Sequence, residues 1–583
     1  MRRAAIVSLA MTLAFVAGLS TAQNSPAAGK AAAAYQRGLV AMQSGDSATA
    51  RSNFELAVKL DPGNADFQNA LGQFLLQQGD VDGALSHLGT VTRLQPNLAV
   101  GHAYFAQALV AKGSLDDAAS ELRLATRLAP KQPESHRALA RVLSQQQKTS
   151  EALAEMKAAV ALAPQRPELR DEVGSLLAQN QQFREAEGEF RAALKLDEKY
   201  APAHFHLGVA LLQLGDQAAA QEELQRAVQL DARSGGAQYY LGTVLEAEGD
   251  KDGAVAAYQR AAELNPDSAP VQTRLGLLLQ RTGDPEQAAA AFAKVVALTP
   301  HDPDAHNNLG LARLQHGEGD AAVKEFQAAL QLRPDDAEFR GNLGVAYLQK
   351  SDFDSAVREL RQALQTSPEK AQWHYNLGVA LKLKEDFPQA QAELKEAIRL
   401  NPQLADAYYT LGVTLWQLGD FPAAVEQLQA ATRVQPDYAE AFYTLGTVFK
   451  QMNKLPAAAA ALREAIRLQP DFAGAHTTLA AVLRQQGDSA GAAAESHTGA
   501  EISQRTNSLQ SATFNTNSGR RLLNAGDLDG AIAQFRAALT AAPSYAPAHY
   551  QLALALQRKG DAAGAATELR KAAELDPRLV PPQ

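Results

Sequence analysis

Histidine and tyrosine are the residue types best placed to do chemistry in this chain of 583 residues, which contains no cysteine. Both recur at fixed places in a cassette of 34 residues counted from Ala31. Because metal ligands must converge on one point, histidines that lie one or more cassettes apart favour a structural role over a metal site. His204 and His206 are close in sequence, but residues two apart on a helix point in different directions. Histidine occupies position 4 at His102, His136, His204, His306, His374, His476 and His549.

No catalytic motif accompanies these residues. The sequence has no Walker-type phosphate loop, no G-x-S-x-G nucleophile elbow and no H-E-x-x-H pair. Without cysteine there is no thiol nucleophile, no thiolate metal site, no disulfide and no lipid anchor on an N-terminal cysteine. We therefore expect a protein that is not an enzyme and that binds no cofactor and no metal.

The helices that position these residues are predicted from the proline, glycine and small residues that recur at fixed positions of the cassette. Proline recurs at position 32, as at Pro402 and Pro436, and position 8 is always small. A small residue at position 8 predicts that two helices cross there, so that leucine at Gly412 would force them apart. A Gly-Asp pair at positions 15 and 16 predicts that one helix ends in a left-handed glycine and that aspartate caps the next. These pairs are Gly45-Asp46, Gly79-Asp80, Gly215-Asp216, Gly249-Asp250, Gly283-Asp284, Gly419-Asp420, Gly487-Asp488, Gly526-Asp527 and Gly560-Asp561.

The landmarks of the tetratricopeptide repeat family recur in one cassette as Leu411, Gly412, Leu415, Ala424, Leu428, Ala431 and Pro436. The sequence resembles this family over nearly all of the chain after its first residues. The resemblance implies an all-α fold, an α-solenoid in which repeats of helix A, turn and helix B form a right-handed superhelix. The predicted repeats start at residues 31, 65, 99, 133, 167, 201, 235, 269, 303, 337, 371, 405, 439 and 473, then at 512 and 546.

The ends of the chain and one interior stretch depart from the repeat. Residues 1–22 combine two arginines, an apolar run and small residues before Ala22, which predicts a signal peptide and an exported protein, periplasmic or secreted. The apolar run is too short for a stable membrane span. Residues 495–511 are predicted to be an irregular repeat end or hinge, or else a tolerated insertion of five residues. The other predicted segments are a linker over 23–30, a long array over 31–494, a C-terminal repeat pair over 512–579 and a tail over 580–583.

The family resemblance also implies a binding groove, because helix A lines the concave face of tetratricopeptide arrays. Tyr375, Tyr409 and Tyr443 fall at position 5 of helix A, where rings either bind a partner or cover the seams between A helices. Position 6 reads Asn308, Asn342 and Asn376, then Thr410 and Thr444. The asparagines resemble the ladder in the tetratricopeptide region of O-linked N-acetylglucosamine transferases, which implies contacts to a peptide backbone. A solvated polar row without a ligand is the alternative.

These observations favour a scaffold that binds partner proteins or peptide segments in its groove. An accessory subunit that presents substrate to an envelope machine for glycan, pilus or export assembly is the alternative. The net charge of −9 argues against a nucleic-acid partner, because such affinity requires clustered lysine and arginine. The sequence also leaves open self-association through the C-terminal repeat.

Overall fold

The computed structural model describes residues 26–579, in two units that meet between Asp284 and Pro285. All regular elements in this part of the chain are helices. None of these helices has the length and apolar character needed to cross a bilayer. The predicted signal peptide, residues 23–25 of the predicted linker and the predicted tail lie outside the described residues.

The first unit contains fifteen helices among its described residues, and odd-numbered helices are A helices. They are α1 (Pro26–Gln43), α2 (Ser47–Leu60), α3 (Ala65–Gln77), α4 (Val81–Leu94), α5 (Ala99–Lys112), α6 (Leu115–Leu128), α7 (Pro133–Gln145), α8 (Thr149–Leu162), α9 (Pro167–Gln179), α10 (Phe183–Leu196), α11 (Ala201–Leu214), α12 (Gln217–Leu230), α13 (Gly235–Glu248), α14 (Lys251–Leu264) and α15 (Ala269–Thr282).

The second unit contains sixteen α-helices and a short 3-10 helix at Pro577–Leu579 within its described part, and its odd-numbered helices are A helices up to the one that begins at Ala473. They are α16 (Pro285–Leu298), α17 (Pro303–Gln315), α18 (Gly319–Leu332), α19 (Ala337–Gln349), α20 (Phe353–Thr366), α21 (Ala371–Leu383), α22 (Phe387–Leu400), α23 (Ala405–Gln417), α24 (Phe421–Val434), α25 (Ala439–Gln451), α26 (Leu455–Leu468), α27 (Ala473–Gln485), α28 (Ser489–Asn524), α29 (Leu528–Ala541), α30 (Ala546–Lys559) and α31 (Ala562–Leu575).

The A helices begin where the sequence predicts them, except for α1 and for the helix A predicted from residue 512, which is the second half of α28. From α3 to α27, every A helix begins at the first residue of its predicted repeat. The helix α1 starts at Pro26, so residues 26–30 of the predicted linker are helical. Proline at the first helical position costs no hydrogen bond, because that N–H has no partner within the helix, and the alanines that follow favour helix.

The turn between the two helices has the predicted conformation. Its glycines have φ between 79° and 90°, in the left-handed region. After Gly419, for example, the Asp420 carboxylate accepts the N–H of Ala423 at 3.2 Å and caps α24. Five repeats place another residue type in the left-handed conformation at this position, with φ between 55° and 62°. These residues are Gln147, Gln181, Ser351, Glu385 and Asn453.

The crossing of the two helices within a repeat is close at position 8. A Cβ atom added to Gly412 would lie 2.7 Å from Cγ of Leu428 and 3.3 Å from the carbonyl oxygen of Ala424. Leu411 and Leu428 on either side of this contact are 1% and 0% exposed. The absent side chain therefore allows α23 and α24 to touch, while the flanking leucines form the core.

The segment from 495 to 511 is helical throughout, because α28 runs unbroken through it. Its first half packs on α27 as helix B of one repeat, and its second half packs on α29 as helix A of the next. Between Ile502 and Ala512, both buried, every residue but the partly covered Ser508 is exposed. The five additional residues therefore lengthen a helix that water surrounds, and no proline or glycine within 503–511 stops it.

We expect Gly412→Leu to lower the free energy of unfolding by about 1–3 kcal/mol, because the new side chain overpacks the contact with Leu428. Denaturation in urea, followed by circular dichroism, measures this change. Gln417→Leu, at an exposed position of the same helix, is the matched control and leaves the transition near that of the wild type. Equal transitions for both variants would contradict the close crossing.

The continuity of α28 predicts that Gln510→Pro is costly although Gln510 is exposed. Proline in a helix interior removes a hydrogen bond and clashes with the preceding turn, at a cost of about 3 kcal/mol. Amide hydrogen exchange over 503–511 should become faster in this variant and stay slow in the control Gln510→Ala. Unchanged exchange in the proline variant would show that the segment is not helical in solution.

Candidate functional site

The A helices of the second unit form one face of that unit. Consecutive A helices from α17 to α27 contact one another, and they approach more closely than consecutive B helices do. This places the A helices on the inner side of the stack. All eight residues of the predicted groove lie on helices of this face: Asn308, Asn342, Tyr375, Asn376, Tyr409, Thr410, Tyr443 and Thr444.

Two of the tyrosines fill the seams between consecutive A helices. The ring centroid of Tyr409 lies 5.1 Å from that of Tyr438, and the ring centroid of Tyr443 lies 4.8 Å from that of Phe472. Tyr438 and Phe472 each come directly before the next A helix. The hydroxyl of Tyr438 donates to Oδ1 of Asp406 at 2.8 Å, and burial together with this carboxylate raises the pKa of Tyr438. Tyr409 and Tyr443 are half-buried, so each ring covers a seam and still exposes one edge.

The asparagines at position 6 do not form a uniform ladder. Nδ2 of Asn342 donates to Oδ1 of Asn307 in the preceding repeat at 2.9 Å. Asn376 is only 9% exposed and accepts from Nε2 of Gln372, one turn earlier, at 3.4 Å. Asn308 is half-buried. Asn308 and Asn342 are therefore the asparagines of this row that a ligand reaches most easily.

The threonines at position 6 are more deeply placed than the sequence suggests. Thr410 and Thr444 are 7% and 5% exposed. Burial raises the pKa of Tyr375, and a hydrogen bond with the hydroxyl of Thr410 opposes this shift. In this conformation Thr410 and Thr444 serve mainly to pack the A helices, and binding of a peptide by the whole row stays a prediction.

Apolar side chains near the ends of A helices expose more surface than the predicted row. Leu383 and Leu418 are each 49% exposed. Trp416, half-buried, donates its indole N–H to Oε1 of Gln451 in the next repeat at 2.6 Å. Sequence reasoning did not single out these residues. Leu383 could have been found from the sequence, because most repeats have glutamine at position 13 and α21 has leucine there.

The histidines at position 4 have a structural role, as expected, but their partners were not predicted. Nδ1 of each ring lies 2.5–2.8 Å from a glutamate 19 residues later, on helix B of the same repeat. His204 and His206 bind different carboxylates, those of Glu223 and Asp171, and do not converge. A glutamate at position 23 in each of these repeats was the available signal.

Comparisons of the sequence with known proteins show the family to which the chain belongs. Sequence profiles described as tetratricopeptide repeat match residues 35–97, 105–167, 174–236, 235–268, 273–337, 313–378, 381–446, 443–496 and 516–579. The chain belongs to the tetratricopeptide repeat family. No curated protein matches the sequence. Members of the family are generally non-catalytic scaffolds that bind other proteins.

Solved structures of other proteins show partial likeness. The Cut9–Hcn1 assembly of the APC/C matches over 90% of this chain and 96% of its own, at 15% identity and a TM-score of 0.36. Yeast Tom70 matches over 73% and 96%, at 18% identity and a TM-score of 0.30. MamA matches over 30% and 94%, at 29% identity and a TM-score of 0.27. Because these TM-scores are below 0.5, the family assignment rests on the repeat profiles.

The tetratricopeptide array does not offer its arginines on α7 as a clamp for a terminal carboxylate. Arg137 and Arg141 both bind the carboxylate of Glu172 on α9. Burial opposes ionisation of Glu172, but the two guanidinium groups outweigh burial and lower its pKa. The charge of these arginines is therefore already compensated within the protein.

Substitutions of Tyr409 separate its packing role from any role in binding. Tyr409→Ala removes the ring from the seam with Tyr438, and we expect a loss of stability of about 0.5–1.5 kcal/mol beyond the loss of buried area. Tyr409→Phe keeps the ring and should unfold like the wild type. Urea denaturation compares the three proteins. A wild-type transition for the alanine variant would show that the ring does not stabilise the seam.

Proposed function

We propose that the chain is an exported, non-enzymatic scaffold and that it binds a segment of a partner protein on the A-helix face of repeats 303–472. The observation that carries the proposal is the recurrence of partly exposed aromatic rings at one position of three consecutive A helices. These rings belong to Tyr375, Tyr409 and Tyr443. Tyrosine combines a large, rigid contact area with a polar end, which suits a binding surface.

The apolar residues at the ends of the A helices extend this surface. Leu383 and Leu418 lie in consecutive repeats and are half exposed. Next to Leu383, Lys382 is half-buried, and burial lowers its pKa. Further along the same face, Asp406 and Glu440 are exposed at position 2 of α23 and α25. The face therefore combines apolar contacts with charges of both signs, and this composition favours a protein segment over a polyanion.

Rigid packing supports affinity on this face. The rings of Tyr409 and Tyr443 are already held by Tyr438 and Phe472, so binding does not need to order them. A preformed surface avoids the entropy cost of fixing side chains, about 0.5–1.5 kcal/mol for each. Many modest contacts along consecutive repeats then add to a useful affinity.

Crosslinking mass spectrometry in the source cells tests this function with a Leu383→Gln/Leu418→Gln variant. Leu383 occupies position 13, where neighbouring repeats have glutamine, and both leucines are exposed, so the fold should tolerate the change. We expect crosslinks between partner proteins and residues 303–472 in the wild type and their loss in the variant. Leu332→Gln on helix B, where Leu332 is 40% exposed, is the matched control and should keep them.

Partners that persist in the double variant, or that attach only to residues 495–579, would contradict the proposed surface. A catalytic protein crosslinked to the same face would point to the accessory-subunit alternative. In that case the face would still be the binding surface, with an enzyme as its partner.

A further inference from the structure

The histidines at position 4 share a second contact besides their glutamates. Nε2 of each ring lies 2.9–3.3 Å from a backbone carbonyl oxygen six residues earlier, at the end of the preceding repeat. Each ring therefore joins helix A, helix B and the preceding repeat, and 6–15% of its side chain is exposed. We call this arrangement a clip. The pairs are His102–Glu121, His136–Glu155, His204–Glu223, His306–Glu325, His374–Glu393, His476–Glu495 and His549–Glu568.

Both acceptors of a clip require a hydrogen on the nitrogen that faces them. A carboxylate and a carbonyl oxygen only accept, whereas a neutral imidazole has one N–H and one bare nitrogen. A neutral ring would thus place a lone pair against an oxygen lone pair. An imidazolium ion donates to both oxygens and pairs its charge with the glutamate.

In two repeats arginine, a cation that does not titrate, takes the place of the histidine, and Arg340 makes both contacts of a clip. Arg340 donates to Oε2 of Glu359 at 3.2 Å and to the carbonyl oxygen of Pro334 at 2.7 Å, the same two acceptors. Arg170 donates to Oε2 of Glu189 at 3.0 Å. Every repeat with histidine or arginine at position 4 has glutamate at position 23. The seven repeats with another residue at position 4 have no acidic residue at position 23. The site thus selects a cation and a carboxylate together.

One repeat shows the uncharged counterpart. Gln68 at position 4 donates to the carbonyl oxygen of Pro62 at 2.9 Å, and its Oε1 lies 2.7 Å from Nδ1 of His87 at position 23. Here the imidazole needs only one N–H, and burial lowers the pKa of His87. The amide satisfies the carbonyl oxygen without a net charge, so this repeat does not depend on an additional proton.

We propose that the seven histidine clips hold imidazolium ions, so that the contact between consecutive repeats tightens when protons bind and loosens when they leave. Each clipped pair holds one proton more than a neutral imidazole beside a carboxylate. Stability that depends on this proton is present at low pH and is lost as the pH rises. Because each repeat contacts mainly its neighbours, the loss acts at the clipped junctions and leaves the others unchanged.

The charges around the clips agree with this reading. From helix B, the glutamate at position 23 lies within hydrogen-bond distance of Nδ1 of each ring, and from the preceding repeat a backbone carbonyl oxygen lies close to Nε2. Glu325 also accepts from Arg313 on α17, and Glu568 lies 3.8 Å from Lys571. Glu396, one turn beyond Glu393, interacts favourably with a cationic His374. These groups tune single clips without changing the requirement for two N–H donors.

The clips are absent from the centre of the proposed binding face. Position 4 is Tyr408 in α23 and Phe442 in α25, in the repeats of Tyr409 and Tyr443. His374 and His476 clip the repeats on either side. A rise in pH is therefore expected to loosen the repeats that flank the aromatic seams and to leave the seams in place.

Hydrogen exchange of the full chain at pH 6 and pH 8.5, with each rate divided by the intrinsic rate at that pH, tests the proposal. The helix α22, held by His374, should lose roughly tenfold or more of its protection, as expected for a bond to a charged group. Protection of α24 and α14 should change little, because neither the repeat of each helix nor the next repeat has a clip. A common change in all three helices would overturn the proposal.

The paired variant Arg340→His/His374→Arg gives a matched control within the same unit. The proton-dependent loss should move from α22 to α20, because each repeat keeps its glutamate and exchanges only its cation. Protection that still falls at α22 in this variant would refute the clip as the cause. If the variant does not fold, the comparison of α14, α22 and α24 in the wild type decides the matter alone.

Discussion

The close approach of two helices at position 8 is the contact on which the rest of this structure depends. A Cβ atom added at Gly412 would lie 2.7 Å from the side chain of Leu428, and one added at Gly344 or Gly378 would lie 2.6 or 2.7 Å from the corresponding leucine. Because the helices touch there, each repeat has the same width and the next helix A starts 34 residues later. A residue type that recurs at one position of the cassette therefore recurs on one face of the unit.

The regular repeats could be predicted to the residue because their punctuation is local. Glycine at position 15 and aspartate at position 16 act within one turn, and the helices from α3 to α27 begin at the expected places. The helix through 495–511 could not be found from apolar periodicity, because most of its middle part contacts only water. The usable signal in that stretch was the lack of a residue that ends a helix, because 503–511 contains no proline and no glycine.

The candidate site was predicted less completely than the fold. A position within the cassette tells which face a side chain is on but not how deep it lies, so Thr410 and Thr444 were expected to be accessible and are buried. Hydrogen-bond partners on other helices are harder still to predict from the sequence, because they depend on side-chain rotamers. The glutamates 19 residues after the histidines were nevertheless readable, because the pairing repeats within one chain. Internal repetition supplies the comparison that related sequences would otherwise provide.

Packing and binding need not compete on the A-helix face. Tyr409 and Tyr443 stabilise the seams through Tyr438 and Phe472, and the same contacts hold their exposed edges in fixed positions. In the flanking repeats the clips of His374 and His476 hold helix A by charge instead of by aromatic packing. The second unit thus combines a constant central surface with neighbours whose stability depends on protons.

A photoreactive amino acid placed at single positions in the living source cell tests the binding face most directly. Gln417 is exposed at the end of α23 on the A-helix side, and Gln429 is exposed on α24 on the opposite side. The account predicts that the probe at 417 captures a discrete partner protein and that the probe at 429 does not. Equal capture at both positions, or capture at 429 alone, would contradict a partner surface on the A helices.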